Sequence, residues 1–301
     1  MKRLLPLFTV LFVLSIFTIE KADAQRYRRW NRYKKEFGIN FGGTILMGDL
    51  GHSDKSRDLN LKNSGMMYGG FFKYRFHERF AAKGNLNFGN FTASDANAPD
   101  GYKEKHGINR VLNVKTRFAE ISGQVEFYIL PEKIGSRYNV KGVKGYGQSS
   151  FALYVFAGLG ANIFNPKGIG AGGEGDWVPL RELSTEGQGL PNGPSAYSSV
   201  TMIFPMGAGL KYNFNRQWGV QAEASYRFTT TDYLDDVSGT YYDSDALAAA
   251  KGEVARYMAE KGHGKATMGE QRGGPAKDLY LTGTISVTYR IKSKARSRVR
   301  L

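Results

Sequence analysis

Asp235, Asp236 and His263 are the residue types of a hydrolytic set, in which a carboxylate orients a histidine and the histidine moves a proton. Nothing in their spacing brings them together, and such chemistry requires geometry first. The segment from Thr229 to Asp243 also carries the oxygen ligands that calcium favours, but not at the spacing of an EF-hand loop. These carboxylates are therefore read as caps on backbone amides that fix a turn. Gly168, Gly170 and Gly173 match a dinucleotide-binding spacing. No helical pattern follows, and the run Gly175 to Pro179 breaks the required context, so the stretch is read as a flexible outer loop. His52, His77, His106 and His263 show no metal-ligand spacing. The chain has no cysteine, which removes disulfides, thiolate metal sites, a cysteine nucleophile and an N-terminal lipoprotein anchor. The expectation is a protein that is not an enzyme, with no catalytic residue, no metal and no cofactor.

What must position these residues starts with export. Lys2 and Arg3 precede an apolar stretch from Leu4 to Ile19, and Ala22-Asp23-Ala24 fits a small-x-small cleavage site. Residues 1–24 are thus read as a signal peptide, with the mature chain starting at Gln25. No later segment is apolar over the roughly 18 residues a membrane helix needs. A span, if present, must be a closed barrel, because only that form satisfies every strand's backbone in lipid. A net charge of +15 raises nucleic acid as a partner, and export to the envelope argues against it.

Eight segments carry the period-2 alternation of strands. They are Phe37 to Ile45, Met66 to Phe76, Phe80 to Phe91, Lys115 to Leu130, Phe151 to Ile163, Val200 to Phe214, Trp218 to Thr230 and Leu279 to Ile291. In the last, Leu281, Ile285, Val287, Tyr289 and Ile291 share one face, while Tyr280, Thr282, Thr284, Ser286, Thr288 and Arg290 share the other. Connections alternate between long and tight, as in barrels with extracellular loops and periplasmic turns. The exception is Pro131 to Ser150, read as an extended periplasmic turn. Glycine at 38 residues and aromatics at 13% suit such a wall.

The predicted fold is all-β: an eight-stranded antiparallel transmembrane β-barrel over 36–291, with long extracellular loops. Helical spacing of Leu247, Ala250, Val254, Tyr257 and Met258 predicts one short helix in the last loop, from about Asp245 to Glu260, with Ser244 as its N-cap and Gly252 as its weak point. Lys73, Arg75, Lys83, Glu120, Glu126, Glu223, Arg227 and Arg290 face inward. An eight-stranded lumen is filled by such side chains, which argues against transport.

Basic residues gather at one side. Segment 25–35 carries Arg26, Arg28, Arg29, Arg32, Lys34 and Lys35; the extended turn carries Lys133, Arg137, Lys141 and Lys144; and tail 292–301 carries Lys292, Lys294, Arg296, Arg298 and Arg300. All three should meet at the periplasmic rim. They are suited to anionic lipid headgroups or to an acidic periplasmic partner. Lys133, Arg137, Lys141, Lys144, Lys292, Lys294 and Arg296 are the candidate partner-binding residues.

The run Thr231 to Tyr241, with Asp232, Tyr233, Leu234, Asp235, Asp236, Gly239 and Tyr241, follows an aromatic-rich strand. With Glu36 to Gly43 and Gly48-Asp49-Leu50 it resembles the PorG-like outer-membrane barrel family of Bacteroidetes, over the whole mature chain. The resemblance implies an eight-strand barrel without catalytic residues. It implies a barrel that tethers a periplasmic ring of the type IX secretion apparatus, built of a lipoprotein and its partner, to the outer membrane. An adhesion or binding barrel acting through its extracellular loops is the alternative function, and a soluble β-sandwich the alternative fold.

Overall fold

The computed structural model of the chain describes residues 33–50, 63–97, 111–132, 150–173, 175–264, 266–274 and 276–292. Eight long strands form the wall: β1 Lys35–Met47, β2 Ser64–Arg75, β3 Phe80–Ser94, β4 Asn113–Leu130, β5 Phe151–Ile169, β7 Val200–Asn213, β8 Trp218–Thr229 and β9 Leu279–Ile291. Each pairs antiparallel with its neighbours in the order β4-β3-β2-β1-β9-β8-β7-β5, and β4 pairs with β5 to close the ring. Closure between the first and last strands runs from Lys35 opposite Ile291 to Met47 opposite Leu279. A short β6, Trp177–Pro179, lies outside the ring and pairs with the upper end of β5.

Alternation decides which side chain meets which solvent. Ile39, Phe41, Leu86, Ile121, Leu159, Leu210 and Ile285 point outward and are exposed on the isolated molecule. Such an apolar band is stable only against hydrocarbon. Its periplasmic edge is a run of touching rings, with Phe37 on Tyr289 at 5.4 Å, Trp218 on Tyr289 at 4.9 Å, Phe151 on Tyr212 at 4.8 Å and Phe80 on Phe127 at 5.2 Å. Tyr68, Phe88, Tyr226 and Phe228 mark the other edge. Along β3, Phe80 and Phe88 are roughly 26 Å apart at strand rise, which at the ~40° tilt of barrel strands spans about 20 Å of the roughly 25 Å height of an outer-membrane apolar band. The chain is a multi-pass β-barrel of the outer membrane. Ile121→Arg, between the two aromatic edges, is expected to cost about 2–4 kcal/mol in urea unfolding from lipid vesicles. A soluble sheet would barely register it.

Inside, the lumen is filled in layers. Near the periplasm Lys73 meets Glu126 at 3.0 Å, Arg75 meets Glu132 at 2.9 Å, Arg290 meets Glu132 at 2.5 Å, and Lys211 meets Glu36. Above them Lys83 pairs with Glu223 at 2.6 Å, and Tyr154 donates to the same carboxylate at 2.7 Å. Higher still, Arg227 pairs with Glu120 at 2.7 Å, and Tyr280 and Asn87 donate to Glu120 at 2.8 and 3.0 Å. Every inward charge read from the alternation lies in this column and is paired. Glu36, Glu132, Lys211 and Asn213 are members that the pattern did not single out.

Above the ionic layers the alternation inverts. Phe91, Ala93, Val114, Phe118 and Phe164 point inward and are buried, while Lys115, Arg117, Asn165 and Lys167 point outward. This inversion marks where the strands leave lipid, because the outer face there meets water and the inner face becomes a core. It explains why β3, β4 and β5 run past their predicted ends. The glycine-rich stretch read as a flexible loop is in part paired strand, with Gly168 opposite Val178 and Ile169 opposite Trp177. The predicted single helix is two, α1 Ser244–Lys251 and α2 Glu253–Glu260, broken where Gly252 adopts φ 89°. The N-cap is Asp243, whose side chain accepts from the Ala246 amide, and not Ser244, which is already inside the helix.

Candidate functional site

The extracellular mouth is closed by the outer loops. Its apolar centre joins Leu46, Leu50, Met67, Phe91, Phe118 and Phe164 to Leu180, Tyr197, Leu234, Val237 and Met258. Leu234 and Val237 come from the motif read at Thr231 to Tyr241 and are fully buried. The motif is therefore the keystone of a plug.

Its polar residues hold the loops to one another. Asp235 accepts from the amides of Asp49 at 2.9 Å, Leu50 at 3.3 Å and Val237 at 3.2 Å. It thereby joins Gly48-Asp49-Leu50 to the last loop, so two of the three segments that carried the family resemblance are packed together. Leu234 donates to Asp278 at 2.7 Å, and Thr116 donates to the Leu234 carbonyl at 2.6 Å. Tyr197 stacks on Tyr233 with ring centroids 4.4 Å apart. Glu186 pairs with Arg272 at 2.9 Å and also accepts from the Ser238 and Gly239 amides. Tyr241 donates its amide to the Glu270 carbonyl at 2.7 Å. The reading of these carboxylates as caps on backbone amides holds for Asp235 and for Asp243, whereas Asp232 accepts from the Ser238 hydroxyl at 2.8 Å and Asp236 from hydroxyl groups.

Asp236 sits at a turn with φ 63°, a left-handed conformation that aspartate tolerates better than most residues. Its carboxylate accepts from Tyr197 at 2.5 Å and Thr185 at 2.6 Å. Burial pushes its pKa up to about 6, against the lowering effects of Arg272 and of those two hydrogen bonds. The folded plug thus holds this proton more tightly than the open chain. The stabilisation is complete below the ordinary aspartate pKa of about 3.9 and is lost as pH rises through about 6, on the order of 3 kcal/mol in all. Amide exchange over 231–241 should quicken across that window in the wild type, and Asp236→Asn should remove that step.

The hydrolytic arrangement is not assembled. His263 bonds Glu270 at 2.9 Å and lies against Tyr241, while Asp235 and Asp236 serve the contacts described above. Among the described residues no group of three or more histidine, aspartate or glutamate side chains could hold a metal ion. On the outer surface a cleft of about 710 Å³ separates the β5–β6 hairpin from α2, lined by Asp176, Val178, Val254, Arg256, Tyr257 and Lys261.

At the opposite rim, Lys292 is exposed immediately after β9. Lys133, Arg137, Lys141, Lys144, Lys294 and Arg296 lie outside the described residues, as do residues 1–24, read as a signal peptide, and most of both tails. Their points of attachment are described: β1 starts at Lys35 beside the end of β9 at Ile291, and β4 ends at Leu130 beside Leu153 of β5. All three basic segments therefore leave from one end of the barrel.

No family model matches the chain, and no curated protein does. Among solved structures it is similar to the attachment invasion locus protein Ail of Yersinia pestis, with 11% identity and a TM-score of 0.36, over 85% of this chain and 99% of that one. It is similar to Neisserial surface protein A, with 8% identity and a TM-score of 0.37, over 86% and 97%. It is also similar to OprG of Pseudomonas aeruginosa, with 10% identity and a TM-score of 0.37, over 87% and 98%. At such identities and scores the barrel rests on its own strand pairing and its own apolar band.

Proposed function

We propose that the chain is a non-enzymatic outer-membrane anchor that tethers the periplasmic ring of a type IX secretion apparatus, as its resemblance to the PorG-like family implies. One observation carries this reading: the lumen is filled by paired charges and capped by a plug, while three basic segments leave from a single rim. A filled barrel leaves its two rims and its wall as working surfaces, and the basic rim suits an acidic partner in the periplasm. The ring's lipoprotein and its companion are the partners proposed, with outer-membrane lipids around the wall. Replacing Lys133, Arg137, Lys141 and Lys144 together by glutamine should weaken co-purification of the ring without loss of barrel. Undiminished co-purification would sink the rim assignment.

The cleft beside α2 favours a second reading, a binding barrel that acts through its outer loops. Val254 and Tyr257 stay exposed there on a helix whose other side buries Ala255, Met258 and Ala259. Replacing both by serine should leave secretion intact under the anchor reading. Loss of a surface-binding activity with secretion preserved would favour the loops.

A further inference from the structure

Asp278 is almost fully buried at the entry to β9. Its Oδ2 accepts from the Leu234 amide at 2.7 Å, whereas its Oδ1 has no hydrogen-bond partner. That oxygen points at a definite place. A Cβ added to Gly48 would lie 2.6 Å from Asp278 Oδ1 and 2.6 Å from Asp235 Oδ2, so both oxygens border the one place where only glycine leaves room. Asp235 has its three backbone amides to stabilise it as an anion. The charged groups that face Asp278 are Asp235, Asp232 and Asp49, and Lys277 acts on Asp232. A second buried anion placed against the first would be very costly.

We propose that Asp235 and Asp278 share one proton, carried on Asp278 Oδ1 and donated to Asp235 Oδ2, and that this bond is a proton lock on the extracellular plug. Two buried carboxyl groups placed against one another behave as a pair that holds a single proton, and the pair titrates as a unit. The proton resides on Asp278 because the amide donors favour the charged form at Asp235. Burial pushes the Asp278 carboxyl well above the usual carboxylate range, and the Asp235, Asp232 and Asp49 carboxylates push it further. A raised folded pKa means that the lock is fully present below the unfolded carboxylate pKa and is lost as pH rises through the folded value. Raising the pH through that folded value therefore opens the plug, by parting Asp278 from Asp235 and with it the last loop from Gly48-Asp49-Leu50.

The test uses the full-length chain in lipid nanodiscs, with Asp236→Asn as background to silence the lower titration. Amide exchange at Leu234 and Val237, corrected for intrinsic rates, should stay slow well above the ordinary carboxylate range and quicken at least tenfold as pH rises further. Adding Asp278→Asn, whose amide group donates to Asp235 at every pH, should hold the rate flat. Infrared spectra of carboxyl-labelled aspartate, taken at the pH values where exchange is slow, should show a protonated carboxylic acid that this change removes. The infrared result stands on the parent protein even if the second change disturbs folding. Absence of that band, or an unchanged pH profile with Asp278→Asn, would overturn the lock. So would exchange that slows with added calcium and quickens with chelator, because a divalent cation would then occupy the place of the proton.

Discussion

Glu120→Ala should destabilise the folded barrel by about 3–5 kcal/mol, read as a lower urea midpoint for unfolding from lipid vesicles. The carboxylate lies in the highest ionic layer, where it takes Arg227 at 2.7 Å, Tyr280 at 2.8 Å and Asn87 at 3.0 Å. Removing it leaves the Arg227 guanidinium, itself only 5% exposed, without its counter-charge in a closed lumen. The loss measures the uncompensated charge and not the worth of the pair, since taking two ions out of water offsets most of their attraction. The double change Glu120→Leu with Arg227→Met should therefore recover part of the loss. A double variant that is less stable than the single one would show that the layer is held by its hydrogen bonds and not by charge balance.

Asp235→Ala should release the extracellular plug while sparing the wall. Three amides, the buried ones of Leu50 and Val237 and the half-buried one of Asp49, lose their acceptor together. Each orphaned donor costs about 1–3 kcal/mol, so exchange at these amides should rise by roughly a hundredfold or more. The strand amides of β1, β8 and β9 should exchange as before, because their partners are in the wall. Limited proteolysis should cut between Thr231 and Asp278 in the variant and leave the barrel as one core. Unchanged exchange at Leu50 would mean that the apolar centre alone holds the loops.

The lipid-facing part of the fold was legible because bilayer chemistry is written at one residue in two. Leu279–Ile291 was read with both its ends and both its faces, and Lys73, Arg75, Lys83, Glu120, Glu126, Glu223, Arg227 and Arg290 were placed in the lumen. The strand ends above the bilayer were not legible, because inward Phe164 and outward Asn165 and Lys167, just past the predicted end of β5 at Ile163, reverse the polarity that had defined the strand. Gly168 and Ile169 read as loop for the same reason, since nothing local announces the partner strand at Trp177–Pro179. Gly252 was recognised as a weak point, but the sequence does not state whether such a glycine bends a helix or ends it. The amide-capping role of Asp235 was visible in its residue type. Its targets, Asp49 and Leu50, were not, because they lie in a different loop and only closure of the barrel brings them near.

The central claim is that this sealed barrel works at its periplasmic rim. A photo-activated cross-linker placed at Lys292, in cells that carry the native chain length, tests it directly. After irradiation, detergent extraction and purification by a tag in the last outer loop, mass spectrometry should recover the ring lipoprotein and its partner joined to residue 292. Recovery of the barrel joined only to lipid, or of a ligand held at the outer loops with no ring component, would contradict the anchor and move the function to the extracellular face.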